Sequence, residues 1–187
     1  MKKFELTNEF VTNMFGTKLF RIRALVEFGD VEAGELGGYV EKESNLGHDD
    51  NAWVYDNAWV YGNARVYGDA LVYDNARVYD NAWVYGDAQV SGDARVCGDA
   101  RVCGNGDYAY AHGFGSVNRT TTFFRLKDGG VGVRCGCFYG TLAQFRDKIR
   151  ETHGETKKAQ EYLMLADLME LRFEEDENEV GNRKYVE

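Results

Sequence analysis

Residues 51–104 read NAWVYD NAWVYG NARVYG DALVYD NARVYD NAWVYG DAQVSG DARVCG DARVCG, nine six-residue units without one insertion. Alanine stands at 52, 58, 64, 70, 76, 82, 88, 94 and 100, and valine at 54, 60, 66, 72, 78, 84, 90, 96 and 102. Chance does not hold two columns invariant through nine units, so the repeat decides the architecture. Ala and Val are two positions apart and share one face of a short strand. The last position of each unit (Gly or Asp) and the first of the next (Asn or Asp) tolerate left-handed backbone angles and form turns.

A short strand and a tight turn every six residues describe one side of a parallel β-helix. In its left-handed form, three units close a triangular coil of about 18 residues. Nine units then predict three coils, spaced by about 4.8 Å. Val54 stacks on Val72 and Val90, Val60 on Val78 and Val96, and Val66 on Val84 and Val102. The chain has no proline, where average usage gives roughly nine. That suits a ladder whose N–H groups are all needed. The Val/Ala core is thin, and an uncapped end would expose a strand edge, so both flanks are expected to act as caps.

The residues flanking each valine point outward. One side carries Trp53, Trp59, Arg65, Leu71, Arg77, Trp83, Gln89, Arg95 and Arg101. The other carries Tyr55, Tyr61, Tyr67, Tyr73, Tyr79, Tyr85, Ser91, Cys97 and Cys103. Tyr, Trp and Arg are enriched at binding hot spots. The predicted binding surface is therefore Trp53, Tyr55, Trp59, Tyr61, Arg65, Tyr67, Tyr73, Arg77, Tyr79, Trp83 and Tyr85. Stacked rings and Arg-over-aromatic pairs would also stabilise neighbouring coils. The aromatics fade after Tyr85, which ladder stabilisation alone does not require. Asp56, Asp69, Asp74, Asp80, Asp87, Asp93 and Asp99 read as turn chemistry. The glycine-rich nonapeptide of calcium-binding β-rolls is absent.

Four segments are expected: an N-terminal cap with a degenerate first coil (1–50), the β-helix (51–106), a C-terminal α+β domain (107–173) and an acidic tail (174–187). Phe4–Leu6 and Lys18–Val26 read as strands. Val40 and Leu46 keep the six-residue offset, with a two-residue insertion near His48. Tyr108–His112, Thr120–Lys127 and Val131–Phe138 read as strands, the last two joined at Asp128-Gly129-Gly130. Thr141-Leu142-Ala143-Gln144 starts a capped helix ending at His153-Gly154. A second helix is expected over 156–173. The fold class is mainly β, a left-handed parallel β-helix with an N-terminal β cap and a C-terminal cap of a hairpin and two helices.

The 187 residues carry 31 acidic and 22 basic groups, net −9. That balance argues against direct nucleic-acid binding. No run of about 18 apolar residues suggests a membrane span, and no secretory leader is read after Met1-Lys2-Lys3. A cytoplasmic location with reduced thiols is expected. Cys135-Gly136-Cys137 does not have the spacing of a redox or zinc half-site. In one strand both thiols would point the same way, inward against the helices.

Gly37-Gly38-Tyr39-Val40-Glu41-Lys42-Glu43, the NA-x-VYG/D run and Cys135-Gly136-Cys137-Phe138-Tyr139-Gly140-Thr141 together resemble small hexapeptide-repeat proteins of bacteriophages and prophages, often labelled transferases. The repeat is also similar to that of left-handed β-helix acyltransferases, with Tyr where that pattern has Gly, Ala, Glu or Asp. The phage resemblance implies an accessory protein made in an infected bacterium. The leading expectation is a non-catalytic module docking a host protein, such as a component of a CRISPR or restriction defence, with no cofactor, no metal and a dimer or trimer as its assembly. The alternatives are an acetyl-CoA acyltransferase, for which His48 is the weak candidate base, and a self-assembling structural protein. No catalytic residue is otherwise assigned.

Overall fold

Each hexapeptide folds as its columns require. Nine two-residue strands follow one another at every sixth position: β4 (Trp53–Val54), β5 (Trp59–Val60), β6 (Arg65–Val66), β7 (Leu71–Val72), β8 (Arg77–Val78), β9 (Trp83–Val84), β10 (Gln89–Val90), β11 (Arg95–Val96) and β12 (Arg101–Val102). Three further strands precede them: β1 (Phe4–Thr12), β2 (Lys18–Ala24) and β3 (Leu36–Val40). After them come β13 (Tyr108–Phe114), β14 (Arg119–Arg125), β15 (Val131–Cys135), β16 (Phe138–Thr141), α1 (Leu142–His153) and α2 (Lys157–Phe173). The computed structural model describes residues 1–115 and 117–174. The acidic tail expected over 174–187 lies, from residue 175 on, outside the described residues.

The strands stack in parallel with a repeat of eighteen: β4-β7-β10 form face one, β5-β8-β11 face two and β6-β9-β12 face three. The predicted valine stacking is met on all three faces, and every Ala and Val of the two columns is fully buried. The first eight turn positions have positive φ: Asp56, Gly62, Gly68, Asp74, Asp80, Gly86, Gly92 and Gly98 lie between 51° and 70°, and the ninth, Gly104, is extended. Glycine is required at Gly86, where a Cβ would run into the Cys103 carbonyl. At Asp74 and Asp80 the side chain instead accepts the turn amide of the next coil, from Gly92 at 2.9 Å and Gly98 at 3.3 Å. The absence of proline from the coil now has a specific cause. Regular units below the last coil donate three N–H groups to the coil above, and at most turns a fourth N–H crosses the turn; Trp53, Tyr55, Asn57 and Ala58 show the pattern. A fifth column holds positive φ. Proline fits none of these five positions.

Val40 sits on Val60 and Leu46 on Val66, twenty positions apart, where regular coils keep eighteen. The two extra residues therefore fall between Leu46 and Ala52, close to His48. β3 runs parallel to β5 but antiparallel to β2, so the N-terminal hairpin extends face two into one six-stranded sheet.

Both ladder ends are closed on every face. At the start, the carbonyl of Ala52 accepts from Lys3 Nζ (2.8 Å), that of Ala58 from the Tyr39 amide (2.9 Å) and that of Ala64 from Asn45 Nδ2 (2.8 Å). Burial pulls the Lys3 ammonium down to about 8, against the pull of Asp50, Asp49 and Asp69. At the other end, the amide of Gln89 donates to Asn105 Oδ1 (2.8 Å), that of Arg95 to Thr122 Oγ1 (2.9 Å) and that of Cys103 to Asp107 Oδ2 (3.0 Å). Six groups thus satisfy ladder positions that would otherwise be orphaned or open to pairing.

The C-terminal sheet runs β13-β14-β15-β16, antiparallel throughout. Alternation gives it two buried faces. Phe124 and Tyr108 join the solenoid core, whereas Phe123 and Val133 pack with Leu142, Phe145 and Ile149 of α1 and Tyr162, Ala166 and Met169 of α2. Thr141 and Gln144 form the expected capping box. The strand expected over Val131–Phe138 is instead broken at Gly136 (φ 58°), where the chain turns from β15 into β16. Cys137 is consequently exposed in that turn rather than directed inward. Only Cys135 faces the helices, accepting from Thr121 Oγ1 at 3.2 Å.

Candidate binding surface

Trp53, outward by the alternation, is instead fully buried, because face one has no strand before β4 and the N-terminal chain folds over the gap. Phe4 and Phe28 meet its indole edge-on at 6.2 and 5.3 Å. Cys97, also placed outside by the alternation, is buried as well. The C-terminal sheet covers face two there, with Arg134 over the Tyr79 ring at 6.0 Å. Burial pushes the Cys97 thiol up to about 11 and raises the Tyr79 hydroxyl far above its usual range.

The remaining rings are half-buried, lying along the prism in ladders. Tyr61 stacks on Tyr79 (5.0 Å, 3°) and Tyr67 on Tyr85 (5.2 Å, 5°). Burial raises the pKa of Tyr55, Tyr61, Tyr67 and Tyr85. Arg77 lies over Trp59 at 4.3 Å. Trp83 has Arg65 over its ring at 5.8 Å, from one coil before, and Arg101 at 4.3 Å, from one coil after. The coil-stabilising reading of the repeat is therefore real: the rings hold adjacent rungs together.

The three faces differ in what covers them. On face one, Tyr73 lies beside Tyr108 and Tyr110 of β13. On face two, Tyr79 and Cys97 lie under Arg134. Face three keeps Arg65 and Cys103 exposed and Tyr67, Trp83, Tyr85 and Arg101 half-exposed. It continues into a cleft of about 550 Å³ lined by Leu46, His48, Arg65, Tyr67 and Trp83. Trp83, Arg65, Tyr67 and Tyr85 of the predicted set are thus brought together here. Arg101 was not among them, although eighteen-residue stacking places it directly on Trp83.

The three histidines stand apart. His48 stacks on Phe4 at 4.5 Å, and its Nδ1 accepts the Lys3 amide at 3.2 Å. His112 pairs with Thr120 at 2.9 Å in the C-terminal sheet, and His153 stacks on Tyr162. A neutral imidazole accepting at Nδ1 carries its proton on Nε2. In this arrangement His48 offers the cleft a donor, not the free lone pair that a general base needs.

Thiol accessibility gives a direct check. At pH 8, Cys103 and Cys137 are expected to react rapidly with a chromogenic disulfide reagent, Cys135 slowly, and Cys97 only after denaturation. Fast labelling of Cys97 in the native protein, read by peptide mass mapping, would contradict the burial described above.

Three stretches, residues 58–73, 70–86 and 88–104, match the YdcK Beta solenoid repeat. The matched residues are those of the stacked coils. No curated protein matches the chain. No helix among the described residues is long and apolar enough to cross a membrane.

Proposed function

We propose that the chain is a non-catalytic binding module that docks a protein through face three. One observation carries this reading: Trp83 lies between the guanidinium groups of Arg65 and Arg101, beside the stacked Tyr67–Tyr85 pair, on the face least covered by either cap. Aromatic and arginine side chains held rigid lose little conformational freedom on binding and are the residue types that dominate interface energetics. Neither arginine pairs with a carboxylate among the described residues. The complementary partner is therefore a protein surface with carboxylates beside apolar atoms. The resemblance to phage-encoded repeat proteins supports a bacterial host protein in that role. Inhibition of a defence component, such as a CRISPR or restriction enzyme, would be its biological form. The acyltransferase alternative receives no support from His48, whose Nδ1 is occupied.

The test pairs Trp83→Ala with Tyr67→Ala. The double variant is expected to keep the circular dichroism of the parent. It loses at least tenfold in affinity for a host protein captured from infected cells and reconstituted from purified components, since each hot-spot truncation costs about 2 kcal/mol. Trp59→Ala with Tyr61→Ala, on face two, serves as the comparison. Unchanged affinity in the face-three variant sinks the reading. Loss of a light-scattering dimer or trimer in that variant would instead identify a second copy as the occupant. Saturable acetyl-CoA binding, abolished in His48→Ala, would favour the enzyme.

A further inference from the structure

At the far end of face two, a cleft of about 550 Å³ opens between the solenoid and the C-terminal sheet. Its charged lining among the described residues is Arg77 and Arg95 from the solenoid, Arg119 from the start of β14, and a single carboxylate, Asp93. Asn75, Thr120, Val117 and Gly136 complete it. Arg77 and Arg95 are direct partners in the parallel ladder between β8 and β11. Like charges on adjacent rungs repel and cost stability. The fold relieves this only in part: Arg77 lies over Trp59 and Asp93 lines the cleft, but none of the three arginines forms an ion pair with a carboxylate among the described residues.

The side chains of Arg77 and Arg119 and the backbone of Arg95 are also held in place. Arg77 rests one face on Trp59 at 4.3 Å, leaving its edge N–H groups free to point elsewhere. The Arg95 backbone is fixed by its bond to Thr122 Oγ1. Arg119 runs over Gly136, and a Cβ there would occupy the space of its guanidinium. Glycine at the β15–β16 turn thus seats the third cation as well as supplying a positive φ. Guanidinium forks bind phosphate oxygens through paired N–H donors. The cleft volume falls in the range of small-molecule sites, and Val117 is its one large apolar side chain.

We infer that this cleft is an anion site for a compact ligand bearing at least two phosphate groups, held by Arg77, Arg95 and Arg119. It lies on a different face from the docking surface proposed above and does not depend on it. Recognition is by charge and donor geometry, so inorganic pyrophosphate is the simplest probe and ATP tests whether a nucleoside adds anything.

Calorimetry at low salt is expected to show one saturable pyrophosphate site per chain, with ATP no more than a few-fold different. Arg95→Gln and Arg119→Gln should each weaken it about tenfold, the loss of one hydrogen-bonded charge partner. Gly136→Ala should weaken it similarly by displacing Arg119. Arg119 lies outside the coil ladder, so that variant tests the site even if Arg95→Gln perturbs the coil. Without ligand, Arg95→Gln should melt no lower than the parent, because it removes a repulsion. Pyrophosphate binding that is absent, or unchanged in both glutamine variants, overturns the assignment. So does tighter binding of a single-stranded oligonucleotide than of pyrophosphate, with a salt dependence reporting many contacts.

Discussion

Trp53→Ala is expected to lower the melting temperature by roughly 10 °C. Truncating a large buried aromatic costs about 3–5 kcal/mol, and a domain of this size loses about 2–4 °C per kcal/mol. The site cannot collapse to fill the hole. Phe4 and Phe28 are anchored through the backbone hairpin and through Lys3, which stacks on Phe28 at 4.5 Å while donating to Ala52. Trp53→Phe should behave very differently. The indole Nε1 is buried without a hydrogen-bond partner among the described residues, so phenylalanine removes an unsatisfied donor while keeping most of the packing. Its expected cost is below about 1.5 kcal/mol. Thermal melts of the two variants decide the matter, and equal large losses would mean that packing of the full indole, not removal of its unsatisfied donor, sets the cost.

Phe124→Ala should be the matching lesion at the other end. Phe124 is fully buried and is the C-terminal sheet's main contribution to the solenoid core. Its removal should also cost about 3–5 kcal/mol. A second consequence is expected here that Trp53→Ala lacks. Loosening β14 frees the Arg95 amide from Thr122 and the Ala100–Leu126 bridge, so the last coil presents an open parallel edge. Light scattering should then show association that rises with protein concentration. Because the second and third coils separate the two sites, the double variant should be additive within about 0.5 kcal/mol. Marked excess loss would show that the caps are coupled through the coil.

The coil was readable from the sequence because it repeats. Nine copies of Ala-x-Val and one turn column state the strand, the turn and the stacking of every valine, and Val40 and Leu46 extend the pattern across the insertion. The caps were readable only as a requirement. Lys3, Asn45, Asn105, Asp107 and Thr122 each occur once in their role, and nothing in a lone lysine or asparagine says that it will meet a ladder carbonyl. Trp53 shows the limit most sharply. Its column is outward in every other unit, and alternation cannot see that the first rung of face one lies beneath Phe4. The Trp83 cluster was half visible, since stacking by eighteen brings Arg65 and Arg101 to the same ring. Arg119 was not visible at all, because its place beside Arg77 and Arg95 depends on how the C-terminal sheet seats on the last coil.

The three-faced coil also acts as an indexing shaft. Inserting or deleting eighteen residues would change its length by one rung, about 4.8 Å, and leave the two caps in the same rotational phase. Inserting or deleting six would turn one cap relative to the other by one face. Arg119 would then travel with its sheet to a different side of the prism, and the three-arginine cleft would come apart although every hexapeptide remained intact. Natural or engineered variants of this chain should therefore tolerate changes of repeat number in steps of three, and pay for any other step at the junctions, not in the coil.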